Sequence, residues 1–252
     1  MSRSRLTIMA AAVAIAVALG GFVVYDQILR GDSAAALALP TASPAPAATG
    51  TAGPSASPAS SLVATAAAAE GDVAGTWNVA PDSVAGYRVR EQLASLSAES
   101  DAVGRTDQVT GSITLESDGA ATTLTEGSLT VDTTTLTSDE SRRDNRLRTE
   151  GLETDRFPTA TFRLTEPVDI PAAALAGAAT DITLPGDLTL HGVTKSVEIP
   201  AQAQLVDGTI KVAGSITFPL SDHDIVAPNI GGFIVSIADD GTLEFLVNFT
   251  KG

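Results

Sequence analysis

The segment 210–218, IKVAGSITF, decides the fold class of this chain. Lysine, alanine, serine and threonine alternate there with the apolar side chains of Ile210, Val212, Ile216 and Phe218. The segment 243–250, LEFLVNFT, has the same pattern, with an apolar side chain at every second position from Leu243. Because side chains of a strand alternate between the two faces of its sheet, this period indicates half-buried antiparallel strands.

Other segments show the same alternation less regularly, and turn signals separate them. Pairs such as Asp-Gly favour two-residue turns, so hairpins should join strands that are adjacent in sequence. About eight strands at this spacing suit a closed barrel or a sandwich. We predict an all-β fold, an antiparallel up-and-down barrel of about eight strands. The turn signals are Asp118-Gly119, Glu126-Gly127, Pro185-Gly186, His191-Gly192, Asp207-Gly208 and Asp240-Gly241.

One short helix is expected in addition to the strands. The sequence TSDE at 137–140 has the T-x-x-E spacing of a capping box, in which Thr137 caps the helix and Glu140 reaches back to it. The helix is expected to end near residues 149–151.

Charge and cysteine content exclude several classes of partner and chemistry. The chain has 15 basic and 30 acidic residues, a net charge of -15, so it repels nucleic-acid phosphates. It has no cysteine, which excludes disulfides and thiol nucleophiles. The segment SDHD at 221–224 cannot form a catalytic relay, because adjacent strand residues point to opposite faces. We expect no enzyme activity, no cofactor and no metal site.

The N-terminal region contains a predicted membrane span. Leu6–Tyr25 is a run of 20 residues without a charge, which is long enough to cross a bilayer as a helix. Arg3 and Arg5 precede it, so the positive-inside rule places the N-terminus in the cytoplasm. A cleaved signal peptide is the alternative, because the alanines that follow Ser33 fit a cleavage site.

We divide the chain into three parts. Residues 1–30 are the predicted cytoplasmic tip and transmembrane anchor. Residues 31–74 consist mainly of Ala, Pro, Ser and Thr, have little large apolar surface to bury, and are predicted to be a disordered linker. Residues 75–252 form the predicted barrel. The expected location is the cell membrane, single-pass, with the barrel outside the cytoplasm. Nothing in the sequence indicates an oligomeric state.

Two motifs in the folded part are specific enough for comparison with a known family. They are VDTTTLTSDESRRDNRLRTEGLETDRFPTATF at 131–162 and GDLTLHGVTKSVEI at 186–199, with a weaker match in GTWNVAPDSVAGYRVREQL at 75–93. In this order they resemble the YceI-like family of lipid-binding or polyisoprenoid-binding envelope proteins. The resemblance implies a lipocalin-like barrel whose apolar interior holds an isoprenoid chain, and it implies binding rather than catalysis. Arg146 stands where the family pattern often has histidine.

Candidate binding residues follow from the arginine-rich motif and from the strand pattern. Arg143, Arg146 and Arg148 are candidate contacts for a polar head group, since a guanidinium matches an oxyanion or carbonyl. The alternative is a solvated helix face, whose charges pair with neighbouring acidic residues. Inward-facing apolar side chains are candidate contacts for a lipid chain: Val89, Leu115, Phe162, Leu164, Ile216, Phe218, Phe233 and Phe245.

The expected function is therefore that of an extracytoplasmic, membrane-tethered binding protein that sequesters or carries an isoprenoid-like lipid. A prenyl phosphate, a quinone and a fatty acid all require an apolar tunnel, so the head group stays open. The alternative is a non-catalytic surface or stress-related interaction module with a filled core and no ligand. A continuous internal void would separate the two functions.

Overall fold

The computed structural model describes residues 33–39, 73–93, 99–227 and 234–252. The membrane span predicted over Leu6–Tyr25 and most of the predicted linker lie outside these residues. Within them, no helix combines the length and the apolar character that crossing a membrane requires.

Eleven strand segments make up one antiparallel sheet. In chain order they are β1 (Gly75–Val79), β2 (Val84–Leu93), β3 (Glu99–Thr106), β4 (Val109–Ser117), β5 (Thr122–Asp132), β6 (Thr159–Leu164), β7 (Val168–Ile170), β8 (Thr180–Leu190), β9 (Val193–Val206), β10 (Thr209–Pro219) and β11 (Ile234–Lys251).

The eleven segments form eight barrel strands, because three of the eight are interrupted. β1 and β2 both pair with one edge of β11. On their other edges, β1 pairs with β4 and β2 pairs with β3, so β1–β2 and β3–β4 are two long bent strands. β6 and β7 both pair with β5 and are likewise two parts of one strand. Every barrel strand lies beside its neighbour in sequence, and β11 closes the ring against β1 and β2. The predicted up-and-down barrel is confirmed.

Three of the six turn signals are confirmed and three are wrong. Turns lie at residues 118–121, 191–192 and 207–208, whereas the glycine pairs at 126–127, 185–186 and 240–241 lie inside strands. The register shifts by a bulge beside the first and third of these pairs. A side chain at Gly186 would place its Cβ 2.3 Å from the ring of Phe162. Glycine in these strands therefore serves bulges and close packing, not chain reversal.

The helix starts later than the capping-box spacing predicts. α1 spans Ser141–Arg146 and continues as a π-helical turn, Leu147–Gly151, so the expected end is confirmed. Its N-cap is Glu140, whose side chain accepts from the backbone N–H of Arg142 at 3.1 Å. The predicted N-cap Thr137 is wrong because its backbone N–H and C=O pair with Arg105 of β3. A second single-turn helix, α2, spans Ala172–Leu175, and 3-10 turns span Thr133–Thr135 and Leu220–His223.

The two ends of the barrel differ in what covers them. At one end, here called the α1 end, lie α1, the 191–192 turn and the turn Leu220–His223. At the opposite end lie α2, the 118–121 and 207–208 turns and the first residue of β1. The larger apolar cluster includes Trp77, Val247 and Phe249 and lies toward the opposite end, while a smaller cluster around Leu188 and Phe218 lies under α1.

Residues 33–39 differ from the disordered linker that composition predicts for 31–74. They lie as an extended segment against the outer face of the barrel, and Leu39 is buried. The Ser33 hydroxyl donates to the backbone carbonyl of Asp101 at 2.9 Å. The composition signal fails here because two leucines and specific hydrogen bonds supply the contacts that an Ala-rich segment otherwise lacks.

Candidate ligand-binding cavity

An apolar cavity of about 240 Å³ runs through the barrel between its two ends. Its lining comes from every barrel strand, because each strand turns alternate side chains inward. Ile170 and Ala174 border it at the opposite end, and Leu147 and Leu152 border it under α1. The volume lies just below the range of about 300–1,000 Å³ that is typical of ligand pockets, so it suits a small ligand such as a single chain.

Seven of the eight predicted apolar contacts border the cavity, namely Val89, Leu115, Phe162, Leu164, Ile216, Phe218 and Phe245. The eighth, Phe233, lies outside the described residues. Trp77 does not border the cavity and is a core residue, whose indole N–H donates to the carbonyl of Val73 at 2.9 Å. That these seven side chains contact a ligand stays a prediction.

Polar side chains meet the cavity at the α1 end. The guanidinium of Arg143 binds the carboxylate of Glu91 at 2.5 Å (Nη2 to Oε1) and that of Asp139 at 2.6 Å (Nη1 to Oδ1). The Glu91 side chain is only 3% exposed and that of Arg143 only 12%. Tyr87, Glu91 and Arg143 all border the cavity. An ion pair therefore stands at the end of an otherwise apolar space.

Local backbone geometry explains how these groups reach the interior. Tyr87, Val89 and Glu91 follow each other at alternate positions of β2 and so share its inner face. The ring of Tyr87 lies against Gly104 of β3, where a Cβ would approach the ring to 2.2 Å. Arg143 reaches the same place from the first turn of α1.

The electrostatics of this end keep Arg143 charged and Tyr87 neutral. Burial opposes the charge of Arg143, but hydrogen bonds to Asp139 and Glu91 outweigh it, and the pKa of Arg143 lies above its ordinary value. Burial raises the pKa of Tyr87 from 10.0 to about 12. The Tyr87 hydroxyl therefore stays protonated at neutral pH and can donate a hydrogen bond.

Two donors at this end have no partner among the described residues. The hydroxyl of Tyr87 and the Nε–H of Arg143 are buried and make no hydrogen bond there. A buried polar group without a partner costs about 1–3 kcal/mol, so such groups are uncommon in folded proteins. Both lie at the end of an apolar cavity, which is the arrangement expected where a ligand presents a polar head.

Arg146 and Arg148 do not border the cavity. Arg146 is half-exposed and pairs with Glu150 one turn along. Arg148 donates to the backbone carbonyl of Leu136 at 3.2 Å, and its Nε–H is buried without a partner among the described residues. The structure thus brings only Arg143, of the three predicted arginines, to the cavity, while Arg146 matches the alternative of a solvated helix face.

The chain matches the model of the YceI-like domain over residues 77–249. The chain belongs to this family. The UPF0312 protein VPA0850 of Vibrio parahaemolyticus is 41% identical over 73 residues, which is 29% of this chain and 35% of the relative. A UPF0312 protein of Vibrio campbellii is 38% identical over the same share of each chain. The match thus spans about a third of the length of these curated relatives.

Solved structures agree with this family assignment at the level of the fold. A polyisoprenoid-binding domain from Saccharophagus degradans, implicated in plant cell wall breakdown, superposes with a TM-score of 0.54 at 19% identity. The superposition covers 71% of this chain and 99% of that domain. At this identity the likeness concerns the fold alone.

The arginine motif of this YceI-like domain has a structural part as well as a cavity part. Asp144 is buried and accepts from the backbone N–H of Ser138 at 3.0 Å and from its hydroxyl at 2.6 Å. Leu147 borders the cavity, and Arg148 binds the segment before the helix. These contacts fix α1 over the barrel, so the motif positions Arg143 as well as supplying it.

Glu91, the partner of Arg143 in this YceI-like domain, is not among the site residues predicted from the sequence. A signal was present, since Glu91 lies two residues after Val89, which is predicted to face inward. A glutamate at an inward position is unusual in a core and indicates a buried partner or a functional site.

The two histidines lie away from the cavity. His191 occupies the predicted turn with a left-handed φ of 51° and binds the carboxylate of Glu153 through Nε2 at 3.1 Å. That contact and the neighbouring Arg156 lower the pKa of Glu153. His223 is buried, and its Nδ1 lies 3.1 Å from the carbonyl of Val193. Both histidines connect covering segments at the α1 end.

Tyr87 gives a testable pH dependence. Its folded-state pKa is raised, so its contribution to stability is fully present below pH 10 and is lost as pH rises to about 12. The loss should reach about 2–3 kcal/mol. The check is the free energy of unfolding in urea at pH 9 and pH 12 for the wild type and for Tyr87→Phe. An equal pH-dependent loss in the two proteins would contradict the prediction.

Proposed function

We propose that this YceI-like barrel binds a single-chain, isoprenoid-like lipid, with the chain in the cavity and its polar head beside Arg143, Glu91 and Tyr87. The observation that carries the proposal is the apolar cavity that ends at two buried donors without partners among the described residues. A filled core, as an interaction module would have, offers no such space. The description of the Saccharophagus degradans domain as polyisoprenoid-binding supports the same ligand class.

Affinity in this proposal comes from burial and not from chemistry. Each methylene transferred from water into an apolar site contributes about 0.8 kcal/mol, so a few isoprene units suffice for tight binding in a preformed cavity. The small volume of the cavity, about 240 Å³, favours a linear chain over a fused ring system.

The charges at the α1 end favour a neutral head group over a pyrophosphate. One guanidinium faces two carboxylates there, Glu91 and Asp139. Glu91 neutralises the buried guanidinium of Arg143, so this pair leaves no net positive charge beside the cavity to attract an anion. The Tyr87 hydroxyl and the Arg143 Nε–H can instead both donate to a carbonyl oxygen. Of the head groups left open by the sequence, a quinone-like carbonyl agrees best with these donors.

Membrane attachment and an extracytoplasmic location are part of the same proposal. The uncharged run Leu6–Tyr25 and the basic residues Arg3 and Arg5 before it support a single span with the barrel outside the cytoplasm. A tethered barrel would load and release a lipid close to the bilayer that contains it.

The test is organic extraction and mass spectrometry of the full chain, purified from a bacterial host without added lipid. We expect one isoprenoid or other single-chain lipid per protein. Protein that yields no lipid, and that also fails to bind a prenylated benzoquinone on titration, would overturn the proposal in favour of an interaction module.

Head-group selectivity gives a second measurement. Glu91→Gln removes one negative charge and keeps an acceptor for Arg143. A unit charge about 5 Å away, beside the head group, contributes about 3 kcal/mol at an effective dielectric constant of about 20. We expect the affinity for farnesyl pyrophosphate, relative to a prenylated benzoquinone, to rise about 100-fold. Glu150→Gln on the exposed face of the helix is the control, and a similar rise there would contradict a specific effect.

A further inference from the structure

A second built site lies on the outer wall of the barrel, and its occupant is a segment of this chain. Ser33–Leu39, here called the strap, crosses the outside of β3, β2 and β11 and then reaches a groove over β8, β9 and β10. Gln202 and Ser215 border that groove together with Leu37 of the strap. Leu39 is 5% exposed, so the strap packs closely.

A buried carboxylate organises the site. Glu244 points outward from β11, and its side chain is only 2% exposed. It binds Arg105 at 2.8 Å, lies 3.7 Å from Arg88, and accepts from the backbone N–H of Leu37 at 3.4 Å. Breaking a buried ion pair leaves an uncompensated charge, so this cluster holds its geometry firmly.

Arg88 and Arg105 bind the backbone of the strap through hydrogen bonds. Arg88 donates to the carbonyl of Ala34 at 2.6 Å, and Arg105 donates to the carbonyl of Ala35. Arg88 also binds Asp101 at 3.0 Å, and the backbone N–H of Asp101 donates to the hydroxyl of Ser33 at 3.2 Å. Backbone recognition of this kind positions an extended segment in a fixed direction.

The first residue of the strap lies toward the α1 end. Leu37 contacts Glu244, which pairs with Gly86 of β2, whereas Ser33 contacts Asp101, which pairs with Arg90. Four residues of β2 separate the two levels, about 13 Å at about 3.3 Å per residue. Within the strap, Ser33 therefore lies nearest to the polar end of the cavity, and Leu37 lies farther from it.

We propose that the strap holds the α1 end of the barrel toward the membrane, so that the polar end of the cavity faces the lipid surface. This inference rests on the proposed membrane anchoring of Leu6–Tyr25. When the strap is docked, only residues 26–32 connect the predicted anchor to the barrel, instead of the whole predicted linker. These residues reach at most ~25 Å when fully extended. At the same end Val226 is 73% exposed, between two residues that border the cavity, and presents an apolar side chain to the bilayer.

Strap docking is tested first by hydrogen–deuterium exchange of the full chain. The Leu37 amide, which donates to Glu244 at 3.4 Å, should exchange at least tenfold more slowly than an unstructured amide. Leu39→Asp, which alters the strap and leaves the barrel intact, and Glu244→Gln should both remove this protection. Glu116→Gln, at an exposed strand position, is the control. Exchange of the Leu37 amide at the unstructured rate in the wild type would overturn the proposal.

Orientation is tested with a fluorescent label, since the chain has no cysteine of its own. Val226→Cys at the α1 end and Ala120→Cys at the opposite end each carry one nitrobenzoxadiazole group on the full chain. The vesicles contain phosphatidylcholine, phosphatidylglycerol and head-group nitroxide lipids. We expect at least threefold stronger quenching at position 226, and a ratio near one after Leu39→Asp.

Equal quenching at the two positions of vesicle-bound wild type would overturn the orientation. If the full chain does not bind vesicles, the proposed anchoring fails and the orientation fails with it. Protection of the Leu37 amide is measured without a membrane, so it distinguishes that failure from failure of the strap itself.

Discussion

Arg143→Met is expected to lower the free energy of unfolding by about 3 kcal/mol, because it leaves Glu91 as a buried carboxylate without its partner. The substitution keeps most of the apolar side-chain volume of Arg143, so lost packing contributes little. Glu91 then lies in a poorly solvated place without a cation beside it, which costs stability. Unfolding in urea at pH 7, followed by far-ultraviolet circular dichroism, measures the change.

A double-mutant cycle separates the ion pair from other effects. Arg143→Met combined with Glu91→Leu removes both charges and should return stability to within about 1 kcal/mol of the wild type. Arg146→Met is the matched control, since it makes the same change one turn along α1 in an exposed pair worth less than about 1 kcal/mol. If the stability losses of the two single variants simply add in the double variant, the buried ion pair does not account for the loss in Arg143→Met.

Ala203→Phe is expected to lower the affinity for lipid about 100-fold while leaving the barrel folded. Ala203 is buried on β9 and borders the cavity, so a phenyl ring there enters the space proposed for the lipid chain. Displacing about four buried carbon groups costs about 3 kcal/mol, or about 100-fold in affinity. Titration with a prenylated benzoquinone measures the affinity, and urea unfolding measures the stability.

The stability of the same variant distinguishes a cavity from a filled core. Forcing a large side chain into a packed interior costs about 1–3 kcal/mol, whereas a ring that fills an existing void should cost less than about 1 kcal/mol. Ala173→Phe, at an exposed position of α2, is the control for the added aromatic surface. Wild-type lipid affinity in Ala203→Phe would contradict binding inside the barrel.

The barrel was predictable because several of its strands, most clearly β10 and β11, present a local pattern of period two. Because such sequence patterns are local, they gave wrong predictions at two places where a residue distant in sequence decides the structure. Pro185-Gly186 is a turn signal by composition, but Gly186 is needed to accommodate the ring of Phe162 on a neighbouring strand. Thr137 has the spacing of an N-cap, but its backbone is committed to Arg105. In both places a partner distant in sequence decides the outcome, and a short window does not contain it.

The candidate site was predictable in its apolar part and less so in its polar part. Inward positions such as Leu115 and Phe245 follow directly from alternation, and they border the cavity. Which arginine reaches the interior depends on how α1 lies over the barrel, and only Arg143 does so. Its partner Glu91 is 52 residues away in the chain, so no local motif contains the pair.

The closure of the ring by β11 has a consequence for folding. β11 pairs with β1 and β2, so the first and last strands of the barrel are direct neighbours, with Trp77 opposite Lys251. Contacts between residues so distant in sequence form late and slow the folding of β-barrels. Until β11 is in place, β1–β2 and β10 each present an unpaired edge that can template aggregation. Completion of the C-terminal strand, and not formation of any one hairpin, therefore ends the exposure of sheet edges in this chain.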